Sequence, residues 1–297
     1  MRLSYAVQTV GLQVGGVRLR CVEPAKVLRR RGHEVYIGPN PKPRGVTVIT
    51  KYMREDADYV RMKIDARMAL VLDINDDNFH IPVKASVLDR AAVVADRLTA
   101  SCRSLAKVMQ ERYRKEVTVI DECAEGEELA PCFAREERLK IGWFGHRANM
   151  EGFIRLAPKL VSRAEVRFAS NTAHTVEGAA GAPWSRAVEA QLLAWADVIV
   201  IPISAPGNRP NPATKSASRV IRATQAGKFV LAEPIDSYQA FSEWHWIGDI
   251  IDGLDWLEGQ DREAIESRIG QAQAYLRRKH APEVVATQWQ RVCQSLS

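Results

Sequence analysis

DECAEGEELAPCFAREERLKIGWFG, Asp121 to Gly145, is where the rhythm of the chain stops and starts again. Its first part, 121–138, is acidic and rich in small residues with no sustained hydrophobic period, the composition of a connector between compact units. Its last part, LKIGWFG, is a short apolar run of the kind that forms a buried strand. Upstream, such runs predict strands over Leu3–Val7, Glu34–Ile37, Thr47–Ile49, Ala69–Leu72, Arg97–Ala100 and Val117–Ile120. Segments of helical period lie between them, near Val22–Arg31, Glu55–Arg67, Pro82–Ala95 and Arg103–Tyr113. Downstream the alternation restarts: LKIGWFG, a helix from about Met150, the strand EVRFAS, a helix near Ser185–Ala194, the strand DVIVIPIS, a basic helix, the strand KFVLAE, a short strand WIGDII and two terminal helices.

Short Val- and Ile-rich runs alternating with helical segments mark parallel sheets covered by helices. The expected fold class is α/β in two domains: residues 1–130, residues 138–280, and a terminal helix at 281–297 that packs back on the first domain. Two such sheets are expected to face a cleft at the carboxyl ends of their strands, where open α/β sheets bind ligands. No repeat at a period of about 20 to 50 residues points to a solenoid.

Composition narrows the class further. Of 297 residues 46% are hydrophobic and 26% charged, which excludes a disordered chain. No stretch approaches the roughly 20 apolar residues of a membrane span, and MRLSYAVQTV lacks the apolar core of a secretory signal, so a cytosolic chain is expected. Five scattered cysteines without CxxC spacing are read as reduced thiols, neither a disulfide framework nor a zinc site. A net charge of +6, from 42 Lys and Arg against 36 Asp and Glu, suits anionic ligands or weak association with acidic lipid. Its dense points, KVLRRRGH and QERYRKE, are first of all solvated helix faces.

Four segments could carry chemistry. In NPATKSASRVIRATQAGKFVLAEP, Asn211 to Pro234, a helix is expected from about Thr214 to Ala226. Lys215, Arg219 and Arg222 at i, i+4 and i+7 then form one basic stripe, with Ala217, Val220, Ile221 and Thr224 on the packing face. A lysine in the first helical turn opposes the positive pole of the dipole, so an anion, a phosphate or pyrophosphate, is the natural occupant. The structural alternative pairs the arginines with Glu189 or Asp236. The second segment, KIGWFGHRANM, puts Gly142 and Gly145 around a strand end, followed by His146 and Arg147 as donors to an anion. Alternatively Gly145 only makes the turn and His146 caps the next helix. The third, QTVGLQVGGVRLR, carries Gly15 and Gly16 before a helix but has neither P-loop nor dinucleotide-fold spacing, and is read as a flexible lip of the cleft. The fourth, LVLDINDDNFHIP, ends an apolar strand in Asp73, Asp76 and Asp77 with His80 nearby. Such carboxylates serve as general base, hydroxyl acceptors or metal ligands, or simply cap the next helix. No nucleophile-elbow or HExxH motif is present, and the seven tryptophans are read as packing residues.

In this order the segments resemble a GT-B glycosyltransferase of the group-1, retaining type, over nearly the whole chain. RLRCVEPAKVLRRRGHEVYIG, VLDINDD, ADRLTASCRSLAKVMQERY with VTVID, KIGWFG, ADVIVIPIS, KSASRVIRATQAGKFVLAEP and HAPEVVATQWQRV carry the likeness. The resemblance implies two Rossmann-like domains and transfer of a sugar from a nucleotide-sugar donor to an acceptor hydroxyl, in surface polysaccharide, glycolipid or glycoprotein synthesis. It implies Lys215, Arg219 and Asp77 as catalytic residues, and Gly145, His146, Arg147, Asn211, Thr214, Ser218 and Arg222 as donor contacts. Gly15, Gly16, Asp73 and Asp76 would lie on the acceptor side. Fixed cations would neutralise the leaving diphosphate, so no metal and no permanently bound cofactor are expected. Partners would be the nucleotide-sugar and a glycan or lipid-linked acceptor, not nucleic acid, with peripheral association at the inner face of the membrane. The sequence departs from the family at a pair of donor-loop glutamates, where Thr214 and Arg222 stand instead. A catalytically inactive homologue acting as a nucleotide- or sugar-binding partner subunit is the alternative.

Overall fold

The structure is a computed structural model that describes residues 1–8, 14–52, 54–134, 138–172, 174–204 and 211–296. It divides into two compact units. Unit 1 comprises Met1–Glu125, Gly207–Ser216 and Lys279–Ser297; unit 2 comprises Gly126–Pro206 and Ala217–Arg278. Acidic residues of the expected connector are therefore built into unit 1, where Glu122, Cys123 and Glu125 are buried.

Unit 1 runs β1 (Arg2–Ala6), α1 (Gly15–Val17), a π-helical turn (Arg18–Val22), α2 (Glu23–Arg30), β2 (Glu34–Gly38), β3 (Gly45–Thr50), α3 (Tyr59–Ala66), β4 (Arg67–Ile74), α4 (Pro82–Val94), β5 (Arg97–Ala100), α5 (Arg103–Tyr113) and β6 (Val117–Val119). The strands form one parallel sheet in the order β2-β1-β3-β4-β5-β6. Alternation along each strand divides the core. Leu3, Tyr5, Val46, Val48 and Val71 pack with α2 and the terminal helix Pro282–Gln294 on one face. Ala6, Ile49, Leu70 and Leu72 pack with α4 and α5 on the other. Because both faces are covered, β3 (GVTVIT) is buried throughout, as expected for a parallel strand.

Unit 2 runs β7 (Lys140–Gly145), a 3-10 turn (Arg147–Asn149), α6 (Met150–Val161), β8 (Glu165–Ser170), β9 (Ala179–Pro183), α7 (Arg186–Trp195), β10 (Val198–Ile201), α8 (Ser218–Gln225), β11 (Phe229–Ala232), α9 (Asp236–Gln239), β12 (Trp246–Ile247), α10 (Ile250–Glu258) and α11 (Arg262–Lys279). Its sheet is also parallel, in the order β12-β11-β10-β7-β8-β9. Ile141, Trp143, Val198, Val200, Phe229 and Leu231 form its core with α6, α10 and α11. Two expectations are corrected here. The WIGDII strand ends at Ile247, because Asp249 accepts from the amides of Ile251 and Asp252 at 2.7 and 3.2 Å and starts α10. The strand β9, AAGAP, was not expected at all: small residues carry no apolar period, and Gly181 lies close under the Phe168 ring.

Among the described residues no helix is long and apolar enough to cross a membrane. All five cysteines are free thiols. One buried histidine sets an acid limit on unit 2. His245 accepts from the Val230 amide at Nδ1 (3.3 Å) and meets the Thr224 hydroxyl at Nε2 (2.7 Å). Burial, reinforced by Arg268, lowers its pKa from 6.5 to about 3. The unfolded chain therefore takes up a proton that the folded chain refuses, so stability present above pH 6.5 is lost as pH falls toward 3. The loss is about 1.4 kcal/mol per pH unit in that window. Urea titrations of the wild type and His245→Gln between pH 7 and 4 should show a shallower pH slope for the variant. Equal slopes would contradict the assignment.

Candidate functional site

Unit 2 has the strand order of a nucleotide-binding sheet, with the reversal between β7 and β10, and open α/β sheets bind ligands at the carboxyl ends of strands beside such a reversal. β7 ends there in Gly145. A Cβ at this position would press on the Trp143 ring at 3.0 Å, which is why glycine fits here, and would stand at ordinary contact distance, 3.6 Å, from Arg219 Nη1, so the guanidinium lies beside the strand end. Arg219 Nη1 is buried and has no hydrogen-bond partner among the described residues. The same holds for Trp143 Nε1, for Thr172 Oγ1 and for the hydroxyl of Ser170, the β8 residue in register with Gly145. A native fold pairs nearly all of its buried polar groups, so unpaired ones carried by β7, by α8, and by β8 and the residues just past it call for a polar ligand at the carboxyl end of the sheet.

The neighbouring elements suit an anion. α8 begins at Ser218 after Ala217, which provides no side-chain cap, and its first amides carry the positive end of the helix dipole. His146 and Arg147 are exposed just past β7. His146 caps the 3-10 turn, its Nδ1 accepting from the Ala148 amide at 3.2 Å, while the Arg147 amide donates to Asn171 Oδ1 at 2.7 Å. Behind them, a Cβ on Gly152 of α6 would fall 2.8 Å from the Ile203 carbonyl, and its amide donates to Ser204 Oγ at 3.2 Å. Helix and loop after β10 thus meet without an intervening side chain.

Arg222, expected as a donor contact, makes the alternative pairing with Glu189. Its Nε donates to Glu189 Oε1 at 2.9 Å, while Trp184 Nε1 donates to the other oxygen at 2.8 Å. Replacing Arg222 with methionine leaves a buried, half-paired carboxylate. It should cost about 1–3 kcal/mol of stability and leave nucleotide affinity within about twofold, measured by urea melts and ligand titration.

The expected basic stripe is also corrected. Asn211 Oδ1 accepts from the Ala213 amide at 3.1 Å and starts a separate 3-10 turn, Pro212–Thr214. Lys215 follows in extended conformation, φ −73° and ψ 149°, and α8 starts only at Ser218. Lys215 therefore does not share a helix face with Arg219 and Arg222; it belongs to unit 1 and they to unit 2. Asn211–Ser216 is held by unit 1: the Asn211 amide donates to the Asp77 carbonyl at 3.1 Å, and the Cys102 thiol to the Thr214 carbonyl at 3.1 Å. Thr214, expected as a donor contact, is buried, and its hydroxyl donates to the Asn211 carbonyl at 3.0 Å.

In unit 1 the sheet order reverses between β1 and β3. Gly16 lies at that end, where a Cβ would sit 2.5 Å from Asn75 Nδ2 and Lys51 Cε. Gly15 is less crowded, with only Arg18 Nη2 at 3.9 Å. Residues 9–13 of the expected lip lie outside the described residues. Of the three carboxylates, Asp76 is half-buried in an ion pair with Lys51. Asp77 accepts from the Phe79 amide at 3.2 Å. Asp73 is not an accessible acceptor contact, because its side chain is 0% exposed. It takes a two-pronged bond from Arg20 at 2.6 and 2.7 Å and hydroxyls from Thr50 and Thr99 at 2.8 Å each. Sequence reasoning missed Glu122 altogether. It is buried, burial pushes its carboxyl up against the opposing pull of Arg20 and Ser216, and Oε2 has no partner among the described residues. Among the described residues no group of three or more His, Cys, Asp or Glu is placed to hold a metal ion.

No family model matches the sequence, and no curated protein matches it. Solved structures do. With 10% identity and a TM-score of 0.67, the chain matches an alpha-glucosyltransferase solved with UDP-glucose and DNA containing an abasic site, over 99% of both chains. With 10% identity and a TM-score of 0.65 it matches the catalytic domain of starch synthase IV from Arabidopsis thaliana, bound to ADP and acarbose, over 99% of this chain and 98% of that one. It also matches S. aureus TarM, in complex with fondaparinux, alpha-GlcNAc-glycerol and UDP, with a TM-score of 0.60 and 10% identity over 83% of this chain; the match spans 54% of that protein. The fold of this chain is that of the GT-B glycosyltransferases, two parallel Rossmann-like units in one polypeptide.

Proposed function

We propose that the chain is a glycosyltransferase that moves a sugar from a nucleotide-sugar donor to an acceptor hydroxyl. The observation that carries the reading is Arg219 Nη1, buried and unpartnered among the described residues, beside Gly145 at the carboxyl end of the strands where the unit 2 sheet reverses. A nucleoside diphosphate would supply the missing partner, and structures of the same fold are solved with UDP, ADP or UDP-glucose. In this reading Arg219, the uncapped amides of α8 and Lys215 stabilise the charge that develops on the departing diphosphate, the task a divalent ion would otherwise fill. Ser218, His146 and Arg147 contact the donor. Asp77, its carboxylate fixed by the Phe79 amide, handles the acceptor proton, and Gly15, Gly16 and Asp76 lie on the acceptor side. The acceptor is a glycan or lipid-linked glycan of surface polysaccharide, glycolipid or glycoprotein synthesis, met in the cytoplasm at the inner face of the membrane.

The test incubates the full chain with UDP-, GDP-, dTDP-, ADP- and CMP-sugars and an acceptor panel of glycans, lipid-linked glycans and, because one structural neighbour is solved with DNA, an oligonucleotide. Acceptor-dependent release of nucleotide supports the reading. Tight nucleotide binding without release from any pair would replace it by the non-catalytic homologue, a binding subunit of another protein.

A further inference from the structure

At the opposite end of the unit 1 sheet from Gly16 and Asp76 lies a cavity of about 700 Å³, lined by Arg2, Glu34, Tyr36, Lys42, Arg44 and Arg67 among others. Arg2, Glu34 and Arg67 open β1, β2 and β4, and Arg44 immediately precedes β3. Strands of five and six residues at about 3.3 Å per residue put on the order of 15 Å between this cavity and the carboxyl ends. It is therefore separate from the acceptor-side residues of the same unit.

Its charge is one-sided. Four cations face one carboxylate, and Glu34 is already engaged by Arg2 at 2.7 Å, which lowers its pKa. Lys42, Arg44 and Arg67 make no ion pair among the described residues, and Lys42 Nζ stands 5.5 Å over the Tyr36 ring. The nearby acids are otherwise engaged: Asp65 by Arg61 and Asp96 by Lys63.

The backbone makes the choice of residue telling. Arg44 and Arg67 are both left-handed, with φ of 65° and 54°. Each uses that conformation locally: the Arg44 amide donates to the Asp65 carbonyl at 3.1 Å, and the Arg67 amide closes α3 on the Lys63 carbonyl. Glycine or asparagine would meet both requirements with less strain. The chain instead puts two long cations there, at the mouth of one cavity, where the turns need no side chain.

We propose that this cavity binds a phosphate-bearing metabolite, its phosphate held by Arg44, Arg67 and Lys42 and its body resting on Tyr36 and the apolar wall of Val35 and Pro43. Guanidinium forks suit phosphate oxygens, and the volume falls in the range of small-molecule sites. The inference does not depend on the donor reading of unit 2.

Isothermal titration of the full chain with sodium pyrophosphate tests it, in an Arg219→Met background that weakens the contribution of the unit 2 site. Binding should persist in that background. It should weaken by about tenfold or more when Arg44→Asn and Arg67→Asn are added, the loss expected for charge-assisted hydrogen bonds. Asparagine tolerates the left-handed backbone, and an unchanged melting temperature verifies the fold. Lys42→Gln, on an exposed residue, is an independent second variant with the same expected direction. Equal pyrophosphate affinity with and without these substitutions, or none in the Arg219→Met background, overturns the proposal. So does binding to phosphatidylglycerol vesicles, lost in the same variants, without binding of pyrophosphate, which would make the patch a membrane contact.

Discussion

Arg219→Met is expected to weaken the binding of a nucleoside diphosphate by about 10- to 100-fold, the range for hydrogen bonds to a charged group. Methionine keeps much of the length and the packing of the stem while removing the five donors. Because Nη1 has no partner among the described residues, the substitution removes none of its hydrogen bonds to them, and stability should change little. That separates Arg219 from Arg222, three residues on, whose guanidinium is bound to Glu189. A thermal-shift titration with UDP, GDP, ADP, CMP and dTDP reads both quantities, since a ligand selective for the folded state raises the melting temperature by mass action. Undiminished shifts in Arg219→Met would remove the guanidinium from the ligand site. The donor site would then have to rest on His146, Arg147, Lys215, Ser218 and the α8 amides.

The largest expected loss of stability lies in unit 1. Arg20→Met leaves Asp73 as a buried carboxylate without its counter-ion, held only by the hydroxyls of Thr50 and Thr99. Breaking a buried pair from one side typically costs about 3–5 kcal/mol. For a unit of this size that is a fall of roughly 6–20 °C in melting temperature. Burial works against the charge of Arg20, and Asp73 with Glu122 more than offsets it, so the pair is sustained by its own geometry and not by solvent. Adding Asp73→Asn to Arg20→Met removes the stranded charge and should recover a large part of the loss. A double variant no more stable than Arg20→Met alone would show that the methionine is misfitted in the core and that the lost charge pairing is a minor effect. Turnover by the surviving folded fraction should be near normal, because neither side chain reaches the surface.

Much of this was legible in the residues. Arg103–Tyr113 and Arg97–Ala100 have the expected bounds, because Val, Leu and Ala at strict spacing leave one way to bury them. The buried polar interior was not legible. The acids of 121–125 read as a solvated connector, since nothing local announces that Glu125 will find Arg18, 107 positions away, at 2.7 Å. The start of α8 was missed for the opposite reason. Asn211 and Pro212 form a strong local turn signal, but the helical spacing from Thr214 onward agreed with a longer helix. Only the docking of 211–216 on unit 1 separates the two. For Arg222 two roles were readable, ligand contact or partner of Glu189, and the pairing with Glu189 is present.

The terminal helix Pro282–Gln294 supplies Val285, Ala286 and Trp289 to the unit 1 core. The Trp289 ring stands edge-on to Tyr5 at 5.7 Å, and the Arg20 guanidinium lies 5.6 Å from its centre. A sheet whose strands are all made before residue 120 thus waits for a helix synthesised some 160 residues later. During translation the strands of unit 1 would emerge first yet stay incompletely covered on one face until the residues of unit 2, up to Arg278, have been made. The usual order, in which the amino-terminal unit is finished first on the ribosome, is reversed for this chain. A ribosome paused before Pro282 would hold a nascent chain whose exposed Leu3, Tyr5 and Val46 are a natural chaperone target.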